Sequence, residues 1–198
     1  MDTEPRETRE LVAHQVRRFR AGDGDAAEPL ARRALRLSLR TASALMRSRE
    51  DAADVAQEVA VDVLDSLGKL RDPEAFDAWV HRIVVRHAMR RLKKERSTRK
   101  IETPLALLDE EGLPGATPDS DIDSTLAARH TLVEALSQLP ARQRIALALR
   151  YVHDLPDAEI AAALGCRVGT VHALLSRGRK SLRADHQLVE LTLDLKEG

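Results

Sequence analysis

The chain has 198 residues, and 32 Lys and Arg balance 32 Asp and Glu, giving zero formal net charge. Its single cysteine, Cys166, excludes an internal disulfide and a cysteine-built zinc site. No apolar run approaches the ~20 residues that span a bilayer, and residues 1–10 lack an apolar signal core, so a cytoplasmic protein of bacterial type without membrane insertion is expected. Phe19, Phe76, Trp79 and Tyr151 are the whole aromatic complement. The Ala-, Leu-, Arg- and Glu-rich remainder favours helix over strand, because unbranched side chains lose little rotamer freedom there. An all-α chain is predicted, with room for one ordinary domain or two small ones.

Helical periodicity runs through the first hundred residues. One helix is predicted from Thr8 to Arg20, ending at Ala21-Gly22-Asp23-Gly24. A second covers about Ala26 to Met46. A third starts near Asp51, whose side chain suits an N-cap, and ends by Gly68. A fourth follows Pro73 and runs to about Arg96. The stretch Thr103 to Ser124 holds Pro104, Gly112, Pro114, Gly115 and Pro118 with no sustained period, and reads as a flexible acidic linker in which Leu105, Leu107 and Leu108 are apolar islands. Four further helices are predicted at Ser124 to Gln138, Ala141 to Val152, Asp157 to Leu164 and Val168 to Arg183, with Pro140 and Pro156 marking starts. The division is therefore 1–100, a linker 101–124, a second domain 125–185 and a tail 186–198.

The zero net charge conceals segregation. Nine acids lie between Glu50 and Asp77 against Lys69 and Arg71, nine bases between His81 and Lys100 against Glu95, and seven acids with no base between Glu102 and Asp123. From Arg167 to Arg183 there are five bases and no acid. Such blocks suit separate surfaces for separate partners; the plainer alternative is that they solvate helix faces.

The last two predicted helices form a helix-turn-helix. Val168, Val171, Leu175, Gly178 and Leu182 share one face at spacings of three and four, which predicts burial. The other face carries Gly169, His172, Ala173, Ser176, Arg177 and Lys180, a small, polar and basic surface suited to a major groove. Ile160, Ala161 and Leu164 would pack across it. Gly165 supplies the positive φ of the turn, and Thr170 stands where a helix N-terminus binds phosphate. An ordinary helical hairpin is the alternative.

In the first half, Asp51, Asp54, Glu58, Asp62 and Asp65 form one acidic stripe, with Val55, Val59 and Val63 on an inward face. A docking surface for a protein fits better than a metal or acid–base site, because no histidine joins the stripe. No metal, cofactor or catalytic residue is predicted. On the next helix Phe76, Trp79, Val80, Ile83, Val84, His87 and Ala88 make a broad apolar side, with Trp79 read as core and His87 as a flanking residue. Arg82, Arg86, Arg90 and Lys93 form a basic stripe suited to a nucleic-acid backbone.

Together these residues resemble the extracytoplasmic-function group of bacterial RNA polymerase sigma factors. Asp51-Ala52-Ala53-Asp54-Val55-Ala56-Gln57-Glu58-Val59 is similar to that family's second region, as is Phe76-Asp77-Ala78-Trp79-Val80-His81-Arg82-Ile83 to its F-x-x-W-L-x-R-I pattern. Its fourth region is matched by Leu139-Pro140-Ala141-Arg142-Gln143-Arg144, by Ile160 to Gly165, by Val168-Gly169-Thr170-Val171 and by Ser176 to Leu182. The match covers nearly the whole chain, with the linker in place of a third region.

The resemblance implies a region-two-like bundle and a region-four-like helix-turn-helix domain. Asp54, Gln57 and Glu58 would bind the clamp helices of the largest subunit of core RNA polymerase. The loop Leu70 to Ala75 and the helix after it would engage the melted minus-ten element and hold a flipped base, with Arg82, Arg86, Arg90 and Arg91 on the strand backbone. Thr170, His172, Ala173, Ser176, Arg177 and Lys180 would contact the minus-thirty-five duplex. The linker would lie near the active-site cleft, and an anti-sigma factor is an implied further partner. Three departures matter. Arg86 stands where relatives often have the asparagine that helps recognise the melted strand, which departs from the usual base preference there; His172 and Ala173 stand where they often have a basic residue and a serine, so DNA shape would contribute more to duplex readout. The tail, with Leu188, Leu191, Leu193 and Leu195, extends past the family motif as a docking segment or a frayed end. Cys166 reads as a small buried residue rather than a redox switch. Two other readings stay open at this stage. One is a dimeric helix-turn-helix regulator acting without being a polymerase subunit. The other is a DNA enzyme, such as a resolvase or a metal nuclease using the acidic stripe.

Overall fold

A computed structural model describes residues 3–102 and 131–184. Its helices are α1 (Thr3–Arg20), α2 (Ala27–Leu45), α3 (Arg49–Ser66), α4 (Phe76–Glu102), α5 (131–137), α6 (Ala141–Tyr151), α7 (Asp157–Leu164) and α8 (Val168–Arg183), with 3-10 turns at Gly24–Ala26, Leu67–Lys69 and Pro73–Ala75. No strand occurs among the described residues, and no single helix there is long and apolar enough to cross a membrane. Helix α4 runs past the expected end near Arg96 and through Glu102, two residues into the expected linker 101–124; the rest of that linker, the start of the helix expected at Ser124 and the tail from Asp185 lie outside the described residues.

The first unit is α1 to α4. Val55, Val59 and Val63 are buried on the inward face of α3, and Phe76, Val80 and Val84 of α4 join Leu30, Ala34 and Leu45 of α2 in the same apolar cluster. The start of α3 corrects one expectation. Ser48, not Asp51, is the N-cap: its hydroxyl accepts from the amides of Glu50 and Asp51. A serine in extended backbone just ahead of the first turn satisfies two orphan donors at once, which leaves Asp51 inside the helix with its carboxylate free for α4. Arg33 of α2 grips Asp77 of α4 with a two-pronged hydrogen bond, Nε reaching Oδ1 at 2.6 Å; the carboxylate holds the half-buried guanidinium above its ordinary range.

The second unit is α5 to α8. Residues Arg144 to Leu149 of α6 are all buried, because α7 and α8 pack on this helix and it also lies against α2 and α4. The two units consequently share one continuous apolar cluster. That contact explains why α4 is buried further round its circumference than its amphipathic period predicts: His81, Val85 and Leu92 are covered as well.

Polar groups cross between the units. Arg144 Nη1 donates to the Leu45 carbonyl at 2.7 Å, Arg40 donates to the Val152 carbonyl, and Arg47 pairs with Glu134. His153 Nε2 lies 2.7 Å from Thr41 Oγ1, and its ring meets that of His81 edge-on at 4.5 Å between centroids. Burial pushes His81 down to about 4 and His153 down to about 3, with His81 itself a further cause for His153. The unfolded chain carries both imidazoles near 6.5, so it binds more protons than the fold between about pH 4 and 6.5, and stability falls as pH falls through that window. The urea midpoint is therefore expected to drop between pH 7 and pH 5, and to drop less in His153→Gln. Equal drops in parent and variant would place the acid sensitivity elsewhere.

Candidate nucleic-acid and protein interfaces

Helices α7 and α8 cross at 97°, within the range of a helix-turn-helix. The sharp turn rests on Gly165, which caps α7 in the left-handed region at φ 60 and ψ 46, a conformation that costs glycine nothing. The amide of Cys166 then returns to the Ala161 carbonyl at 3.0 Å. Cys166 is a free thiol, half-buried against the core rather than fully enclosed. Val171, Leu175 and Gly178 of α8 are buried as expected and Leu182 partly so, but Val168 is 40% exposed. Val168 is the first residue of α8, so no preceding turn lies beneath it, and its membership of the buried stripe is corrected.

Gly178 sets how closely α8 approaches α6. A Cβ there would stand 2.9 Å from Leu147 Cδ1 and 3.3 Å from its Cγ. The opposite face of α8 is open: Thr170, His172, Ser176, Arg177 and Lys180 are exposed and Ala173 is half-buried. Arg177 and Lys180 form no ion pair among the described residues, leaving two cations and the uncapped N-terminal amides of α8 facing solvent. His172 is held instead: its Nε2 lies 2.7 Å from Asp157 Oδ2, and Arg150 of α6 binds the other oxygen of the same carboxylate.

The two charged stripes of the first unit face each other across a seam. Asp54, Gln57 and Glu58 are exposed on α3. Asp51 pairs with Arg91, which also stands 4.0 Å from Asp54. Arg86 reaches Asp62 at 3.3 Å. Between them His87, only 5% exposed, places Nδ1 3.1 Å from Glu58 Oε2 and Nε2 2.7 Å from Asp62 Oδ2, and Arg90 Nη2 lies within 3.1 Å of both ring nitrogens. The His87 contact holds the Asp62 carboxyl below its ordinary range, helped by Arg86. Of the four arginines expected on a DNA strand, Arg82 is exposed, Arg86 is exposed but paired with Asp62, Arg90 leans on His87, and Arg91 is half-buried in its pair with Asp51. The bridging role of His87 had no sequence signal beyond its position one turn after Ile83 and beside Ala88. The loop Leu70 to Ala75 is ordered by the Asp72 side chain, which accepts from the Glu74 amide at 3.0 Å, and α1 packs against it.

Comparison with known proteins adds to this geometry. Residues 30–98 match the family described as Sigma-70 region 2, and residues 129–182 the family described as Sigma-70, region 4. The chain is 32% identical over 177 residues to the ECF RNA polymerase sigma factor SigM of Mycobacterium tuberculosis (strain ATCC 35801 / TMC 107 / Erdman), covering 89% of this chain and 83% of that one. It is 30% identical over 144 residues to the RNA polymerase sigma factor SigV of Bacillus subtilis (strain 168), covering 73% and 81%. Among solved structures it shares its fold with CnrH in complex with the cytosolic domain of CnrY, at a TM-score of 0.58 and 23% identity over 89% of this chain and 94% of that one.

The close approach at Gly178 generates a graded expectation. In Gly178→Ala, alanine's gain in helix propensity of about 1 kcal/mol opposes a contact that Leu147 relieves by moving its methyl. Stability should stay within about 1 kcal/mol of the parent. Gly178→Leu overpacks the same contact and should cost about 1–3 kcal/mol by urea denaturation.

Proposed function

The chain belongs to the extracytoplasmic-function group of the sigma-70 family, and from that premise we propose which of its surfaces performs each task of a promoter-recognition subunit. As a sigma factor it directs promoter-specific transcription initiation by RNA polymerase through its second and fourth regions. The observation that carries the reading is the ordered pair of family matches, each falling on a helical unit with an exposed charged face. A dimeric regulator would leave the first unit and its acidic stripe without a task.

In our assignment the region-two unit spans 1–100, the linker 101–124, the region-four unit 125–185 and the tail 186–198. Asp54, Gln57 and Glu58 bind core polymerase at the clamp helices of its largest subunit; their exposure on one face of α3 supports this. Arg82, Arg86, Arg90 and Arg91 serve the melted minus-ten strand. The ion pairs of Arg86 and Arg91 with α3 are partly solvated, and such pairs contribute only about 0–1 kcal/mol, so a phosphate can replace a carboxylate at little cost. Thr170, His172, Ala173, Ser176, Arg177 and Lys180 lie on the minus-thirty-five duplex, with Arg177 and Lys180 supplying its principal cations. The chain carries out no catalysis of its own and works in the cytoplasm. An anti-sigma factor restrains it, a partner supported by the solved relative CnrH, which is held in complex with the cytosolic domain of CnrY.

Run-off transcription tests the whole assignment. Purified chain with core polymerase should yield transcripts from its own promoter, and no promoter-dependent transcript would overturn it. Asp54→Ala with Glu58→Ala should reduce capture of core polymerase while the thermal transition persists. Arg177→Ala with Lys180→Ala should leave core capture intact and reduce the transcript, each lost phosphate contact lowering the salt dependence of DNA binding by about one in slope.

A further inference from the structure

Helices α5, α6 and α8 enclose, with α2, a groove of about 540 Å³. Its floor is Leu132, Leu136, Leu147, Ala148, Tyr151 and Leu182. Leu132 and Tyr151 are 44% and 65% exposed there, an unusual position for large apolar side chains that no described residue covers. The rim carries Arg40 of α2 and Arg179 and Arg183 of α8. None of these three meets a carboxylate among the described residues: Arg40 donates to the Val152 carbonyl and Arg179 to the Tyr151 hydroxyl. An apolar slot edged by unneutralised positive charge calls for an occupant that is leucine-rich and acidic.

Such a segment follows directly in the chain. The last described residue is Ala184, and its neighbours Leu182 and Arg183 themselves line the groove. Residues 185–198 hold Leu188, Val189, Leu191, Leu193 and Leu195 together with Asp185, Glu190, Asp194 and Glu197, against the single base Lys196. Leu188 is separated from Arg183 by at most about 18 Å of extended chain, and a tether this short gives a millimolar effective concentration at the groove. We infer that the groove is the docking site of the chain's own C-terminal segment, residues 185–198, its leucines on the apolar floor and its carboxylates at the arginine rim. A docked tail must be displaced before any other apolar segment enters. The inference does not rest on the polymerase assignment, since the groove and the tail are features of this chain whatever its surfaces bind.

Tyr151 is the only tyrosine, so its ring resonances report on the groove alone in the full-length chain. In Leu188→Asp/Leu191→Asp/Leu195→Asp, the Tyr151 signals should shift. That variant should also bind a synthetic peptide of residues 185–198, restoring the parent signals. The unsubstituted chain should bind the same peptide about a hundredfold more weakly, because a tethered copy already fills the site. Arg183→Glu in the full chain should shift Tyr151 in the same direction as the tail variant. Tyr151 signals indifferent to the tail substitutions overturn the inference, as does equal peptide binding by parent and variant. A response to Leu107→Asp/Leu108→Asp alone would assign the groove to the linker. A response that follows protein concentration, with dimer mass in light scattering, would assign it to the tail of a second copy. Either outcome overturns docking by the chain's own tail.

Discussion

The arrangement depends on a helix without a solvent side along its centre. Six consecutive residues of α6, Arg144 to Leu149, are buried, and neighbours press on it from both units. Leu147 meets the bare backbone at Gly178 and so sets the seat of α8. Arg144 reaches the other way. Its guanidinium meets the Leu45 carbonyl at the end of α2, one of the acceptors that a helix leaves unpaired at its negative pole. Burial pushes this arginine below its ordinary range, and its Nε has no partner among the described residues. A desolvated cation is tolerated here because a carbonyl at a helix C-terminus is among the better neutral acceptors for it. It is still an incomplete solution, unlike the fully apolar contacts inside each unit.

The charge segregation visible along the chain acquires a different meaning in three dimensions. The acidic block of α3 and the basic block of α4 do not form isolated fields. They meet along a seam through Asp51, Asp62, Arg86 and Arg91, with His87 buried between Glu58 and Asp62. The seam fixes the register of the two helices, and partial solvation keeps each pair weak. The surface assigned to polymerase and the surface assigned to the melted strand are thus two edges of one electrostatic unit. A partner that draws Asp54 or Glu58 outward alters the surroundings of Arg91 and His87 on the edge assigned to the melted strand.

Local chemistry made much of this legible in advance. The bounds of α7 and α8, the left-handed glycine between them, the buried valines of α3 and the proline starts of α6 and α7 each follow from a few neighbouring residues. What was hidden depended on partners distant in sequence. Nothing near His81 signals His153, and nothing near Arg144 signals a carbonyl at residue 45. His87 looked like a flank because its two carboxylates belong to another helix. Asp51 was read as the cap, but Ser48 takes that place, and Asp51 pairs instead with Arg91 forty residues away. Val168 fitted the apolar period, yet a period carries no information about where a helix has begun.

The carboxylate of Asp157 has a consequence for selectivity. It stands beside His172 on the outward side of α8, held by Arg150, in the manner of a resident anion. On the proposed DNA-facing surface, a phosphate arriving from arbitrary duplex would find that imidazole already engaged and would gain little by exchanging one anion for another. Under the proposed minus-thirty-five assignment, chance encounters with DNA would be discounted at this position, and the sites that retain the protein would be those whose grooves suit Ser176, Arg177 and Lys180.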